Sequence, residues 1–263
     1  MNNTAVVMIV CKKRYARVAA ISVPSFLKHH PEQKLIVVVD SWGMRALEGV
    51  KAKNLQLVRV GPYKNKASEI LKVNEFSSFD YYGLAHDRAF SSMKPVIMEC
   101  VVAEHQPNKK YILGIDADSI FTGNILELFK KSVAKLKKKY DMYMVSRKDK
   151  RIWSSKDNTP GSGFVLWKRS GAFLPRFIHG FTQSCGGRKG GSQDLTNSIR
   201  LSIKSKLLSV PNLHFVGPDL KNPKITDKEI LSLRPAYIHL HGPDPYKRLL
   251  RFKKVFDDAS KKH

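Results

Sequence analysis

Asp116-Ala117-Asp118 lies between an apolar run, Tyr111-Ile112-Leu113-Gly114-Ile115, and the segment Ser119-Ile120-Phe121-Thr122-Gly123-Asn124, which ends in turn residues. The run reads as a short buried strand. Two carboxylates one residue apart at the end of such a strand are costly unless something neutralises them. A hard divalent cation with a phosphate on its far side would do so. Ligands of open α/β sheets bind at the carboxyl ends of strands. The pattern therefore predicts a metal on Asp116 and Asp118 that holds a diphosphate, with Ala117 between them. The plainer reading is two turn aspartates, one of them capping a helix that starts near Asn124.

Two further clusters carry suitable chemistry. In Gly190-Gly191-Ser192-Gln193-Asp194-Leu195-Thr196-Asn197, a glycine loop feeds a helix. Asp194 falls in its first turn or just before it, where the helix dipole alone would favour an acid. The functional alternative turns Gln193 and Asp194 toward the ligand. In Tyr237-Ile238-His239-Leu240-His241-Gly242, a strand would point both histidines to one face. One of them could complete the metal's coordination shell. Imidazole beside carboxylates shifts the preference from Mg²⁺ toward Mn²⁺.

The elements that must position these groups read as an α/β chain. Buried strands are expected at Ala5–Cys11, Leu35–Val39, Leu55–Val60, Met142–Val145 and Gly163–Trp167. Helices are expected at Arg14–His30, bent or restarted at Pro24, at Met93–His105 and at Asn124–Tyr140. Strand-helix-strand order argues for a mostly parallel sheet flanked by helices. Sheet topology puts a nucleobase pocket at the first strand's end, near Val10 and Cys11, with Asp40. No Gly-x-Gly-x-x-Gly follows that strand, which speaks against a nicotinamide-type dinucleotide. Pro62–Phe90 has no clear pattern, and Ser184–Ser192 reads as a mobile loop beside the site.

The 263 residues suffice for one large domain. Their 47 Lys+Arg against 22 Asp+Glu give a net charge of +25, which favours polyanionic partners: nucleic acid, an anionic membrane face or phosphorylated substrates. Cys11, Cys100 and Cys185 form neither a metal-binding pair nor a disulfide framework, which fits a reducing, cytoplasmic setting. The amino terminus is no signal peptide, and no stretch approaches the ~20 apolar residues of a spanning helix. Residues 246–263 form a separate basic tail, with Leu249, Phe252 and Phe256 at helical spacing among lysines and arginines. Such a helix either lies on an anionic lipid surface or docks on the core.

Taken in order, Asp116-Ala-Asp118, Gly163-Phe-Val-Leu, Gln193-Asp-Leu-Thr-Asn197 and His239-Leu-His-Gly242 with Lys247 behind resemble a glycosyltransferase of the GT-A fold. The likeness is greatest to the retaining family that holds glycogenin and the bacterial lipopolysaccharide galactosyl- and glucosyltransferases. The resemblance implies a single Rossmann-like GT-A domain over residues 1–245. It also implies Mn²⁺ on Asp116, Asp118 and His239 (of a His-x-x-Gly), and a nucleotide-sugar diphosphate held near Gly242 and Lys247. Gln193 and Asp194 would lie beside the transferred sugar. Ser192 stands where the family often has an acid, and the family's Lys-Pro-Trp ending is here only Tyr246-Lys247.

The expected reaction is transfer of a sugar from a UDP-sugar to a glycan, lipid-linked or protein acceptor. Lys94, before Pro95, is a further cation for the leaving diphosphate. An inverting transferase would use Asp194 as general base. A two-metal nucleotidyltransferase or nuclease would use the same acid pair, but no third acid is clearly grouped with it. A non-catalytic basic module for nucleic acid or lipid would need no metal site.

Overall fold

The computed structural model describes residues 2–72, 86–135, 139–145, 163–183, 192–208, 213–216 and 236–240, with 246–247, 249–250 and 252–254 in the tail. For 86–92, 183, 192–194, 213–216 and 240 it describes the backbone alone.

The chain begins β1 (Thr4–Val10), α1 (Lys13–His29), β2 (Leu35–Val39), α2 (Ser41–Leu47), β3 (Leu55–Arg59), α3 (Val60–Ile70) and α4 (His86–His105). There follow β4 (Tyr111–Asp116), β5 (Ser119–Phe121), α5 (Ile125–Ala134), β6 (Met142–Val145), β7 (Phe164–Lys168) and α6 (Phe173–Gln183). Last come α7 (Ser192–Ser202), β8 (Ser205–Leu208), β9 (Leu213–Val216) and β10 (Tyr237–Leu240).

Seven strands form one sheet in the order β3-β2-β1-β4-β7-β6-β8. β1 pairs in parallel with β2 and β4, β2 with β3, and β6 with β8. β7 runs antiparallel to both its neighbours, so the expected mostly parallel sheet carries one reversed strand inside it. Three strands form a second sheet in the order β5-β10-β9. β1 and β2 are buried along their whole length, as strands covered on both faces must be. Val6, Met8 and Val10 face a cluster containing Phe26, Phe121 and Phe129; Ala5, Val7 and Ile9 face one containing Tyr63, Val96, Ile97 and Trp167.

Several expected boundaries shift. α1 runs unbroken through Pro24, because the burial of Val23, Phe26 and Leu27 around it outweighs one lost backbone hydrogen bond. α4 starts at His86 rather than Met93, and α5 ends at Ala134 rather than Tyr140. α3 occupies part of the unpatterned Pro62–Phe90 stretch. In the tail, Leu249 and Phe252 are buried while Lys247, Lys253 and Lys254 are exposed. No helix among the described residues is long and apolar enough to cross a membrane.

Candidate active site

Two sheets converge on the acid pair. β4 pairs with β1, opposing Ile9 to Asp116, and the Asp116 N–H donates to the Gly163 carbonyl at 3.0 Å. The Ser119 hydroxyl donates to the Asp116 carbonyl at 2.7 Å and closes the turn that holds Asp118. β5 leaves that turn and pairs antiparallel with β10, in a register that sets His239 opposite Ser119. The register thus carries a histidine from far along the chain to the acids.

The resulting geometry is tight. His239 Nε2 lies 2.8 Å from Asp118 Oδ1 and 3.8 Å from Asp116 Oδ2. One ligand atom from each of the three residues lies within 4.8 Å of the other two. His239 is fully buried. Its ring occupies the space above Gly163, where a Cβ would come within 2.8 Å of Nδ1. Only glycine leaves room for the imidazole there, a requirement no pattern in the sequence announced.

Lys94 reaches the same acids from α4, with Nζ 2.9 Å from Asp116 Oδ1. Burial works against its charge, but the nearby Asp116 and Asp118 carboxylates outweigh that, and its pKa is held above the usual lysine range. Beside this pair lies a cavity of about 40 Å³ lined by Lys94, Met98, Asp116, Trp167, Phe173 and Thr196. Next to Thr196, the buried Asn197 has neither end of its amide hydrogen-bonded among the described residues, nor has the Trp167 indole N–H. Buried polar groups of this kind want a partner.

The other expected residues divide. Val10 and Cys11 end β1 in the core. Burial, reinforced by the Asp40 carboxylate, pushes the Cys11 thiol up to about 12, so it stays protonated. Asp40 caps α2, accepting from Gly43 N–H at 2.8 Å, and its second oxygen accepts from Lys12 N–H. Ala117 is buried between the acids. Gln193 and Asp194 lie in the first turn of α7, their side chains outside the described atoms. His241 and Gly242 lie outside the described residues. Lys247 is exposed beside Tyr246 and makes no ion pair with another described residue. The structure thus gathers Asp116, Asp118, His239 and Lys94.

No family model matches the sequence, and no curated protein matches it. Solved structures do resemble it. Over 90% of this chain and 97% of the other, it is similar to mouse xyloside xylosyltransferase 1, with 14% identity and a TM-score of 0.57. The bifunctional glycosyltransferase WbbM matches 92% of this chain at 13% identity and a TM-score of 0.59; the match spans 46% of WbbM. Galactosyltransferase LgtC, solved with donor and acceptor sugar analogues, matches 97% of this chain and 95% of its own at 11% identity and a TM-score of 0.53. The architecture is the GT-A glycosyltransferase fold.

Proposed function

We propose that the protein is a metal-dependent glycosyltransferase that moves a sugar from a UDP-sugar to a hydroxyl acceptor on a glycan, lipid carrier or protein, with retention of configuration. The convergence of Asp116, Asp118 and His239 at the carboxyl end of β4 carries this reading. The similar structures, a xylosyltransferase and a galactosyltransferase among them, support the reaction class.

Two carboxylates and one imidazole suit Mn²⁺ better than Mg²⁺, and Gly163 leaves the imidazole its place. When bound, the ion would neutralise charge growing on the departing diphosphate. Lys94 holds the Asp116 carboxylate in place and adds a cation on the same side. Lys247 is a second cation for the diphosphate, and the backbone at Ala117 and Gly242 borders it. Val10 and Cys11 floor the nucleobase end, where Asp40 acts by holding the Lys12 backbone. Gln193 and Asp194 flank the sugar as positive charge builds on its anomeric carbon. Residues 246–263 form a basic extension of the 1–245 domain. With Leu249 and Phe252 buried and only Leu250 exposed among its described apolar residues, attachment to an anionic membrane would run chiefly through its lysines and be salt-sensitive. A cytoplasmic setting fits the cysteine usage.

Calorimetric titration of UDP with and without Mn²⁺ tests the proposal directly, followed by a hydrolysis screen over UDP-sugars. Tight binding in Mn²⁺ and weak binding in its absence is expected. UDP binding indifferent to Mn²⁺ would sink the reading.

A further inference from the structure

Trp42 is among the few large apolar side chains exposed in the described residues, at 44%. Its position is not accidental slack. Asp40 caps the short helix that bears it, and Gly43 behind it is pressed so closely on the sheet that a Cβ would lie 2.7 Å from the Val10 carbonyl oxygen. The indole is therefore displayed from a rigid turn at the carboxyl end of β2, on the edge where open-sheet ligands bind.

Cations gather around it. Lys13 Nζ lies 5.3 Å from the ring centroid and Arg45 Cζ 5.4 Å. Lys13 and Arg17 are four residues apart on α1 and so share one face of it. Arg17 in turn lies 5.9 Å from the ring of Tyr246. The result is a continuous strip, Arg45–Trp42–Lys13–Arg17–Tyr246, of two rings and three positive charges. Lys13, Arg17 and Arg45 are exposed and form no salt bridge to any acid among the described residues. The first turn of α1 holds no acidic residue. The metal site consumes none of this charge.

We propose that this strip binds an anionic glycan, a sugar chain bearing phosphate or carboxylate groups, along the rim beside Asp40 and Lys12. This binding does not rest on the glycosyltransferase reading. A sugar's polarised C–H bonds pack on the electron-rich face of an indole or phenol ring. Its acidic substituents draw Lys13, Arg17 and Arg45 off the rings and onto themselves. A neutral glycan would leave three cations unused. A bilayer would ask for several apolar side chains to insert together, and of Leu249, Leu250 and Phe252 in the tail only Leu250 is exposed.

The test titrates the intact protein with phosphorylated mannopentaose, mannopentaose, a single-stranded oligothymidylate and phosphatidylglycerol vesicles. Trp42→Ala and Arg45→Glu are measured beside the wild type, with circular dichroism to verify their folds. The phosphorylated sugar should bind about tenfold or more tighter than the neutral one, and each variant should lose about tenfold of that affinity. Mn²⁺-dependent UDP binding should be unchanged in both. Equal binding by folded variants, or equal affinity for neutral mannopentaose, would overturn the proposal. So would tighter, variant-sensitive binding of the oligonucleotide or the vesicles. If UDP binding ignores Mn²⁺ while the strip behaves as described, the donor-site reading falls and the glycan surface stands.

Discussion

Asp40 and Asp116 end neighbouring stretches of the same sheet edge, on either side of β1, yet their surroundings differ in kind. Both oxygens of Asp40 are taken by backbone N–H groups, those of Lys12 and Gly43. Asp116 instead faces side chains, Lys94 and His239. The two histidines divide the same way. His30 Nδ1–H donates to the Phe26 carbonyl at 2.8 Å and its Nε2 accepts from the Ile125 N–H at 3.1 Å. His239 faces two carboxylates. A polar group saturated by backbone is committed to holding the fold. One that faces other titratable side chains can exchange them for a ligand.

The largest effect should come from the exchangeable set. Asp118→Asn removes a charged ligand but keeps the shape, so the fold should survive. Mn²⁺-dependent UDP binding and sugar transfer should fall by about 10²-fold or more. Calorimetry and a transfer assay measure both. Unaltered Mn²⁺ dependence would erase the distinction between the two kinds of aspartate.

His30 sharpens the contrast through pH. Burial lowers its pKa from 6.5 to about 4, against the opposing pull of its hydrogen bond to the Phe26 carbonyl. The unfolded chain then binds more protons in that window, so stability rises with pH. The contribution is fully present above pH 6.5 and is lost as pH falls toward 4, about 3 kcal/mol in all. Denaturant melts of the wild type and His30→Gln across this range should differ in slope. Parallel pH profiles would mean that His30 titrates normally.

Gly163→Ala sets the two regions against each other at one atom. The new methyl meets the His239 ring and must displace it. Overpacking of this sort costs about 1–3 kcal/mol. The displacement should weaken Mn²⁺ binding more than a stability loss of that size explains, since the fold is retained at temperatures below melting. Thermal melts and Mn²⁺ titration read the two losses separately.

Sequence reasoning reached these elements unevenly. β2 and β6 were legible to the residue, because each is an unbroken apolar run between polar flanks. α2 was not: it is seven residues long and contains Gly43, so local propensity says turn. α3 has Gly61-Pro62 in its first turn and buries only Tyr63 and Ala67 of its residues, too sparse a stripe to read. The reversed direction of β7 is a tertiary choice with no local signature. At the site, the acids announce themselves because only Ala117 separates them in the chain. His239 stood out by its spacing, but its delivery to Asp118 depends on the three-residue β5, which reads as part of a turn. Lys94 was visible only as a lysine before proline; its partner is set by how α4 lies on β4.

The smallest effects belong to the backbone clamp and test it most finely. Asp40→Ala removes the α2 cap and should cost about 1 kcal/mol, with little change in Mn²⁺ affinity. Lys12, whose N–H that carboxylate also holds, has φ 79° and ψ 147°, a conformation that only glycine adopts freely. Lys12→Gly removes that strain but gives the unfolded chain more freedom, so the net gain should be below about 1 kcal/mol. The sign of the coupling is the informative quantity. If Asp40 is what enforces the strained turn, Lys12→Gly should stabilise the wild type more than it stabilises Asp40→Ala, where the turn is already free to relax. A double-mutant cycle by urea denaturation resolves that difference. Strict additivity would mean that Asp40 only caps α2 and that the turn is imposed by the burial of Cys11 instead.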